Sequence, residues 1–160
     1  MPRFRGHLPS LSRHDGGVHE SQGNDELELY LAVHACRDLE RGLCYYDPLR
    51  HALSWVAPAS SELDALLHDA WISSARQYTP QILVTIASRF QRVAWKYAGM
   101  AYATQLKNAG VLIQTMYLVA TAMGLAPCAL GLGNAERFCR LTGTDHLHEG
   151  SIAEFMIGTP

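Results

Sequence analysis

The chain has 160 residues, 48% of them apolar and 18% charged, with a formal net charge of -2. That length suits one domain with its own core, and scattered Lys and Arg at near-neutral charge leave no footprint for nucleic acid. The four cysteines form no C-x-x-C pair and no apolar leader opens the chain, so reduced thiols in a cytoplasmic protein are expected.

Residues 1–25 hold Pro2, Pro9, Gly16, Gly17 and Gly23 without an apolar period, and are expected to be irregular. Residues 26–160 then read as the folded domain. "ELELYLAVH" (Glu26 to His34) alternates as a strand, with Leu27, Leu29 and Leu31 on one side and Tyr30, Ala32 and His34 on the other. "GLCYYDP" and "HALSWVA" add two short strands, which makes an antiparallel meander. Ser60 caps a helix over "SSELDALLHDAWIS", with Leu63, Leu66, Leu67, Ala70 and Trp71 on one face. "QILVTIASRF" is continuous and β-branched, the pattern of a central strand buried on both faces.

A strand-like opening through Trp95, Lys96 and Tyr97 leads into a long helix, expected from about Tyr97 to Met123 and stopped by Gly124 and Pro127. Ala109 to Pro127 is nearly uncharged, but Gln114, Thr115, Thr121 and Gly124 interrupt it and no basic flank follows. A buried central helix is expected, and no membrane span. "PCALGLG" is a short strand or loop. "NAERFCRLTG" is a helix capped by Asn134 and ended by Gly143, and "SIAEFMIGTP" is a closing strand. This order predicts an α+β layered domain with a mixed sheet.

Three features could carry chemistry. Gly131-Leu132-Gly133-Asn134 begins like a dinucleotide fingerprint, but Glu136 replaces the third glycine and too little chain follows for a Rossmann unit. A turn that brings backbone amides near a ligand and a plain strand-to-helix turn both remain open. His146 and His148 lie in a polar loop with no third ligand at a fixed spacing, so no metal is expected. Lys96 and Tyr97 stand where a buried strand meets a buried helix. A lysine there is partly desolvated, which favours its neutral, basic form. Alternatively, Lys96 extends along the surface and Tyr97 packs.

"RVAWKYAGMAYATQLKNAGVLIQTMYLVATAMGLAPCALGLGN" resembles the SagB-type dehydrogenases (azoline oxidases) of the nitroreductase-like flavoprotein superfamily. "ELELYLAVHACRDLERGLCYYDPLRHALSWV" resembles the meander of that family, and "SIAEFMIGTP" its closing strand. The likeness runs from about Gly16 to Pro160. It implies a nitroreductase-like mixed or antiparallel sheet flanked by helices, with FMN bound at a homodimer interface around the long helix. It also implies oxidation of a thiazoline or oxazoline in a peptide, or of a related small substrate, by hydride transfer to FMN. Lys96 and Tyr97 match the catalytic pair that takes the carbon-bound proton. Gly16, Gly17, Gly131, Gly133 and Asn134 match segments that line the flavin.

The chain departs from this pattern near its start. The arginine-rich motif that grips the FMN phosphate in the family is represented only by Arg3 and Arg5, and Asp15 stands where the family has a serine before Gly16 and Gly17. A domain shortened at its N-terminus is expected. The rival expectation is a flavin-deficient subunit that dimerises or scaffolds a peptide-modification complex with other subunits. A general quinone or nitro-compound reductase using NAD(P)H is a third.

Overall fold

The structure, a computed structural model, describes Ser12–Arg13 and residues 26–160. Its strands are β1 (Ser12–Arg13), β2 (Leu27–Val33), β3 (Gly42–Asp47), β4 (Ala52–Pro58), β5 (Ile82–Arg89), β6 (Ala126–Leu130) and β7 (Glu149–Gly158). They form one sheet in the order β1-β4-β3-β2-β5-β7-β6, antiparallel throughout except where β1 runs parallel to β4. The two-residue β1 departs from the irregular segment expected over residues 1–25. Its pairing with Ser54 and Trp55 uses the open edge of β4, which no local signal announces. The antiparallel meander is present as expected, and β5 is central, between β2 and β7.

Two helical layers cover the sheet. The helix α1 (Ser61–Ser73) starts where Ser60 accepts a hydrogen bond from the N–H of Leu63. The helix α4 (Ala135–Thr142) starts on Asn134, whose side chain accepts from Arg137 N–H, and ends on Gly143 at φ +73°. Together they bury Leu63, Leu66, Leu67, Ala70 and Phe138 against Tyr30, Leu43, Tyr45, Leu83 and Met156 of the sheet. Phe138 is fully buried, with its ring edge-on to Tyr30 at 5.0 Å. Truncating a buried phenylalanine to alanine costs about 3–5 kcal/mol.

The other layer differs from the expected single helix. Gln91–Tyr97 form a helix of their own, α2. One 3-10 turn follows at Ala98–Met100, and α3 runs from Ala101 to Ala122. Trp95, Lys96 and Tyr97 therefore lie on α2 rather than on a strand. The break falls at Ala98, whose φ of +44° is incompatible with a continuing right-handed helix. At its C-terminus α3 ends as expected. Gly124, at φ +71°, donates its N–H to Thr121 and Leu125 donates to Ala120, which together make a Schellman motif.

Neighbouring residues on a strand face opposite ways. Met156 therefore joins the α1/α4 core, whereas Phe155 meets Tyr117 of α3 edge-on at 5.0 Å. The Tyr117 hydroxyl accepts from Ala129 N–H at 2.7 Å, which ties edge strand β6 to α3. Of α3, only Ala101, Gln105, Ala109 and Ala120 are buried. Val111 and Leu118 are 68% and 64% exposed, so the described residues do not cover the apolar sides of the helix. Among the described residues, no helix is long and apolar enough to cross a membrane.

Candidate functional site

A cleft of about 500 Å³ opens between α2, α3 and the end of the sheet. Its sheet side carries Leu27 and Leu29 of β2, Tyr46 at the end of β3, and Pro48 beyond it. Leu27 and Leu29 are the outward residues of the β2 alternation, the set opposite buried Glu28 and Tyr30. On the α3 side stand Thr104, Asn108 and Leu112, one helical turn apart, so a single stripe of the helix faces the space. Arg92, Val93, Trp95, Lys96 and Tyr97 line it from α2. Arg92 and Lys96 are four residues apart and share a face.

The sequence-predicted pair thus does line a cleft, but without the expected desolvation. Lys96 and Tyr97 are both exposed, and Trp95 beside them is 76% exposed. An exposed helix replaces the buried strand-to-helix junction on which that expectation rested. Lys96 Nζ lies 5.4 Å from the centre of the Tyr97 ring, within reach of a cation–π contact.

Behind the cleft runs a buried polar network absent from the sequence reading. Tyr45 donates its hydroxyl to Glu28 at 2.5 Å, and Tyr30 donates to Glu149 at 2.7 Å. Arg89 bridges the two carboxylates, with its Nε 3.1 Å from Glu28 and 2.8 Å from Glu149. Arg92 adds a second cation 3.7 Å from Glu28. Burial pushes the Glu28 carboxyl above the ordinary carboxylate range, against the lowering pull of Tyr45 and Arg89. Burial also raises Tyr45 and Tyr30, so both remain neutral hydrogen-bond donors at physiological pH. Glu26 accepts from the Asn108 amide at the cleft wall. The described lining therefore carries Glu26 and Glu28 against Arg92 and Lys96, a balanced set of charges.

The turn after β6 lies elsewhere, on the edge of the sheet, and does not line this cleft. Gly133 has no room for a Cβ because the Glu154 carboxyl lies against it. The Asn134 amide donates to Asp69 at 3.0 Å while its oxygen caps α4. At Gly133 the side chain that comes close to the backbone is that of Glu154, on β7. Gly131 faces open space. Gly16 and Gly17 lie outside the described residues. Cys128 packs half-buried against the core, and His146 and His148 are exposed around Asp145.

A sequence model of the nitroreductase family matches residues 22–159. No curated protein matches the chain. Ten chains of solved structures match, three of which follow. A protein from Anabaena variabilis assigned as a nitroreductase aligns at TM-score 0.72 and 25% identity, over 84% of this chain and 27% of its own. A chain of the Escherichia coli microcin synthetase McbBCD complex, with truncated pro-MccB17 bound, aligns at TM-score 0.73 and 19% identity, over 86% of this chain and 53% of its own. A Ralstonia eutropha protein, also assigned as a nitroreductase, aligns at TM-score 0.61 and 19% identity, over 83% of this chain and 57% of its own. The chain spans only about a quarter to three-fifths of these relatives.

Proposed function

This chain belongs to the nitroreductase family, and on that footing we propose that it is an FMN-dependent oxidoreductase of the SagB type. Its substrate is a thiazoline, an oxazoline or a related heterocycle of a peptide. The observation that carries the reading is the position of Lys96 and Tyr97 together on one cleft of about 500 Å³, within the roughly 300–1,000 Å³ of ordinary cofactor and ligand sites. The likeness to a chain of a microcin synthetase complex supports a peptide substrate and further subunits as partners.

The cleft suits a flat, uncharged ring system. Leu27, Leu29, Leu112 and the aromatic Trp95 and Tyr97 supply apolar walls. Its charges balance, so a phosphate dianion finds no surplus of cations among the described lining residues. When bound, FMN supplies the two-electron acceptor that takes a hydride from carbon. In its neutral form, Lys96 takes the carbon-bound proton as general base, and the Tyr97 ring holds the resulting ammonium group. Asn108, anchored on Glu26, and Thr104 fix the α3 wall. We assign Gly131, Gly133 and Asn134, with Gly16 and Gly17, to the flavin pocket of an assembled homodimer. The exposed apolar side of α3 supplies the surface such a dimer needs. We take residues 26–160 as the domain and the cytoplasm as its compartment.

The visible spectrum of the protein, after addition of FMN and desalting, tests this reading. A retained, shifted flavin band is expected, followed by turnover of a thiazoline peptide that Lys96→Ala abolishes without unfolding the chain. A folded protein that retains no flavin would overturn the enzymatic reading. It would support a second one, which the balanced charge of the cleft favours: a flavin-deficient scaffold subunit of a peptide-modification complex. Flavin reduced by NAD(P)H, with no turnover of azolines, would instead mark a general nitro or quinone reductase.

A further inference from the structure

The end of β3 and the turn that follows carry a residue pair with no role in the scheme above. The Tyr46 hydroxyl lies 2.8 Å from Nδ1 of His51, and the two rings meet edge to face at 5.7 Å and 88°. Tyr46 also lines the cleft. The turn that holds the pair is stiff. The Asp47 carboxylate accepts from the N–H groups of Leu49 and Arg50 at 3.0 and 3.1 Å and pairs with the Arg50 guanidinium at 2.8 Å. His51 sits at φ +48°, in the left-handed region that disfavours any residue with a Cβ. A conformation of that kind persists where the surroundings over-determine it, and here it aims the imidazole at Tyr46.

Three other polar groups of the cleft are engaged. Asn108 is bound to Glu26, Arg92 is paired with Glu28, and the Thr104 hydroxyl donates to the Met100 carbonyl at 3.0 Å. After His51, the Tyr46 hydroxyl still has hydrogen-bonding capacity. Its sense depends on the imidazole. With a proton on Nδ1, His51 donates to the Tyr46 oxygen and leaves the hydroxyl proton for a ligand. With Nδ1 bare, Tyr46 gives its proton to His51 and offers a lone pair.

We infer that Tyr46 is a substrate-binding residue of the cleft and His51 its positioning residue. From the sheet side, the pair presents one oriented hydroxyl to the ring nitrogen, or the adjoining amide, of the heterocycle on which Lys96 acts from the helix side. The inference rests on the azoline reading above.

The test uses the full chain with FMN present and 2-methylthiazole-4-carboxamide as the probe. Calorimetry reads affinity and ¹⁵N NMR reads His51 Nδ1, identified by its loss in His51→Gly. Tyr46→Phe is expected to weaken binding about three- to tenfold, the range of one neutral hydrogen bond. His51→Gly should do the same while suiting the positive φ, so the backbone of the turn is kept. The double variant should bind no worse than Tyr46→Phe, because the two residues act as one unit. The probe should move the Nδ1 resonance in the unaltered protein and leave it unmoved in Tyr46→Phe. Equal affinity of the unaltered protein and Tyr46→Phe, or an Nδ1 signal that ignores the probe, overturns the assignment and leaves the azoline reading standing. Failure of the flavin-loaded, unaltered protein to bind the probe overturns the azoline reading, and this assignment with it.

Discussion

Gly133 and Glu154 are fitted to each other: the carboxyl of the strand residue occupies the space where a side chain on the turn residue would begin. Glu154 is 6% exposed, so its carboxyl has little room to retreat. Gly133→Ala should therefore destabilise the protein by about 1–3 kcal/mol, as overpacking does. Adding Glu154→Ala should restore part of that loss, because the two changes share one space. Urea unfolding of the single and double variants measures the coupling. Strictly additive losses would show that the two residues do not share that space.

Glu154 also predicts a pH dependence. Burial raises its carboxyl above the ordinary value of 4.5, and only the hydrogen bond from Ser151 opposes this. A raised acid binds its proton more tightly in the folded chain than in the unfolded one. Between the unfolded value and the raised folded value, the folded state holds more protons, so stability falls as pH rises. Below that window the residue costs nothing through ionisation, and above it the loss is complete. Glu154→Gln should therefore be more stable than the unaltered protein at pH 8 and gain less at pH 4. Thermal unfolding across that range checks it. A gain independent of pH would trace the effect to packing instead.

Glu28 should be costlier to lose. It sits between Tyr45, Arg89 and Arg92 in a buried network, where removing it takes one counter-charge from the two arginines while Glu149 still pairs with Arg89. Glu28→Ala should cost about 3–5 kcal/mol, the usual range for breaking a buried pair. Tyr45→Phe, which removes one hydrogen bond donated to that carboxylate, should cost about 1.5–3 kcal/mol. Chemical denaturation of both variants ranks them, and the reverse order would mean that the remaining partners of the arginines, Glu149 among them, carry the network without Glu28.

What the sequence made legible was local. The Ser60 and Asn134 caps, the Gly143 and Gly124 stops and the apolar run of β5 each announce themselves within a few residues, and the structure has them all. The break at Ala98 was masked because alanine is the strongest helix former, and the positive φ falls on it rather than on the neighbouring Gly99. The exposure of Lys96 followed from that break. The Glu28–Arg89 pair joins residues of neighbouring strands far apart in sequence, and Gly133 meets Glu154 from a strand still to come in the chain. Such partners are set by sheet order, which periodicity does not encode.

The uncovered side of α3 makes the homodimer testable. Val111 and Leu118 are seven residues apart, two turns along one face, and both are exposed. Val111→Asp with Leu118→Asp should convert a dimer into a folded monomer with unchanged helix content, because a charge in an apolar contact lacks its solvation. Sedimentation velocity reads the mass and circular dichroism the fold. If the unaltered protein sediments as a monomer, those residues are free for a different subunit.

Ala98 connects backbone strain to the proposed Lys96–Tyr97 pair. It holds φ +44° immediately after Tyr97, in a region that glycine enters without the steric cost of a Cβ. Ala98→Gly should relieve strain of about 1 kcal/mol in the folded state. Glycine also widens the unfolded ensemble, which takes back roughly 0.4–1 kcal/mol, so net stability should change little. Its effect should appear at the site instead. The backbone that fixes the end of α2 becomes freer, and with it the direction of Lys96 and Tyr97 into the cleft. Turnover should therefore fall while the melting temperature stays nearly constant, since misplacing a catalytic group lowers the rate even when the fold is intact. Thermal unfolding and azoline turnover, measured on the same preparation, separate the two effects. A variant that loses stability and keeps full turnover would show that Ala98 serves the fold alone.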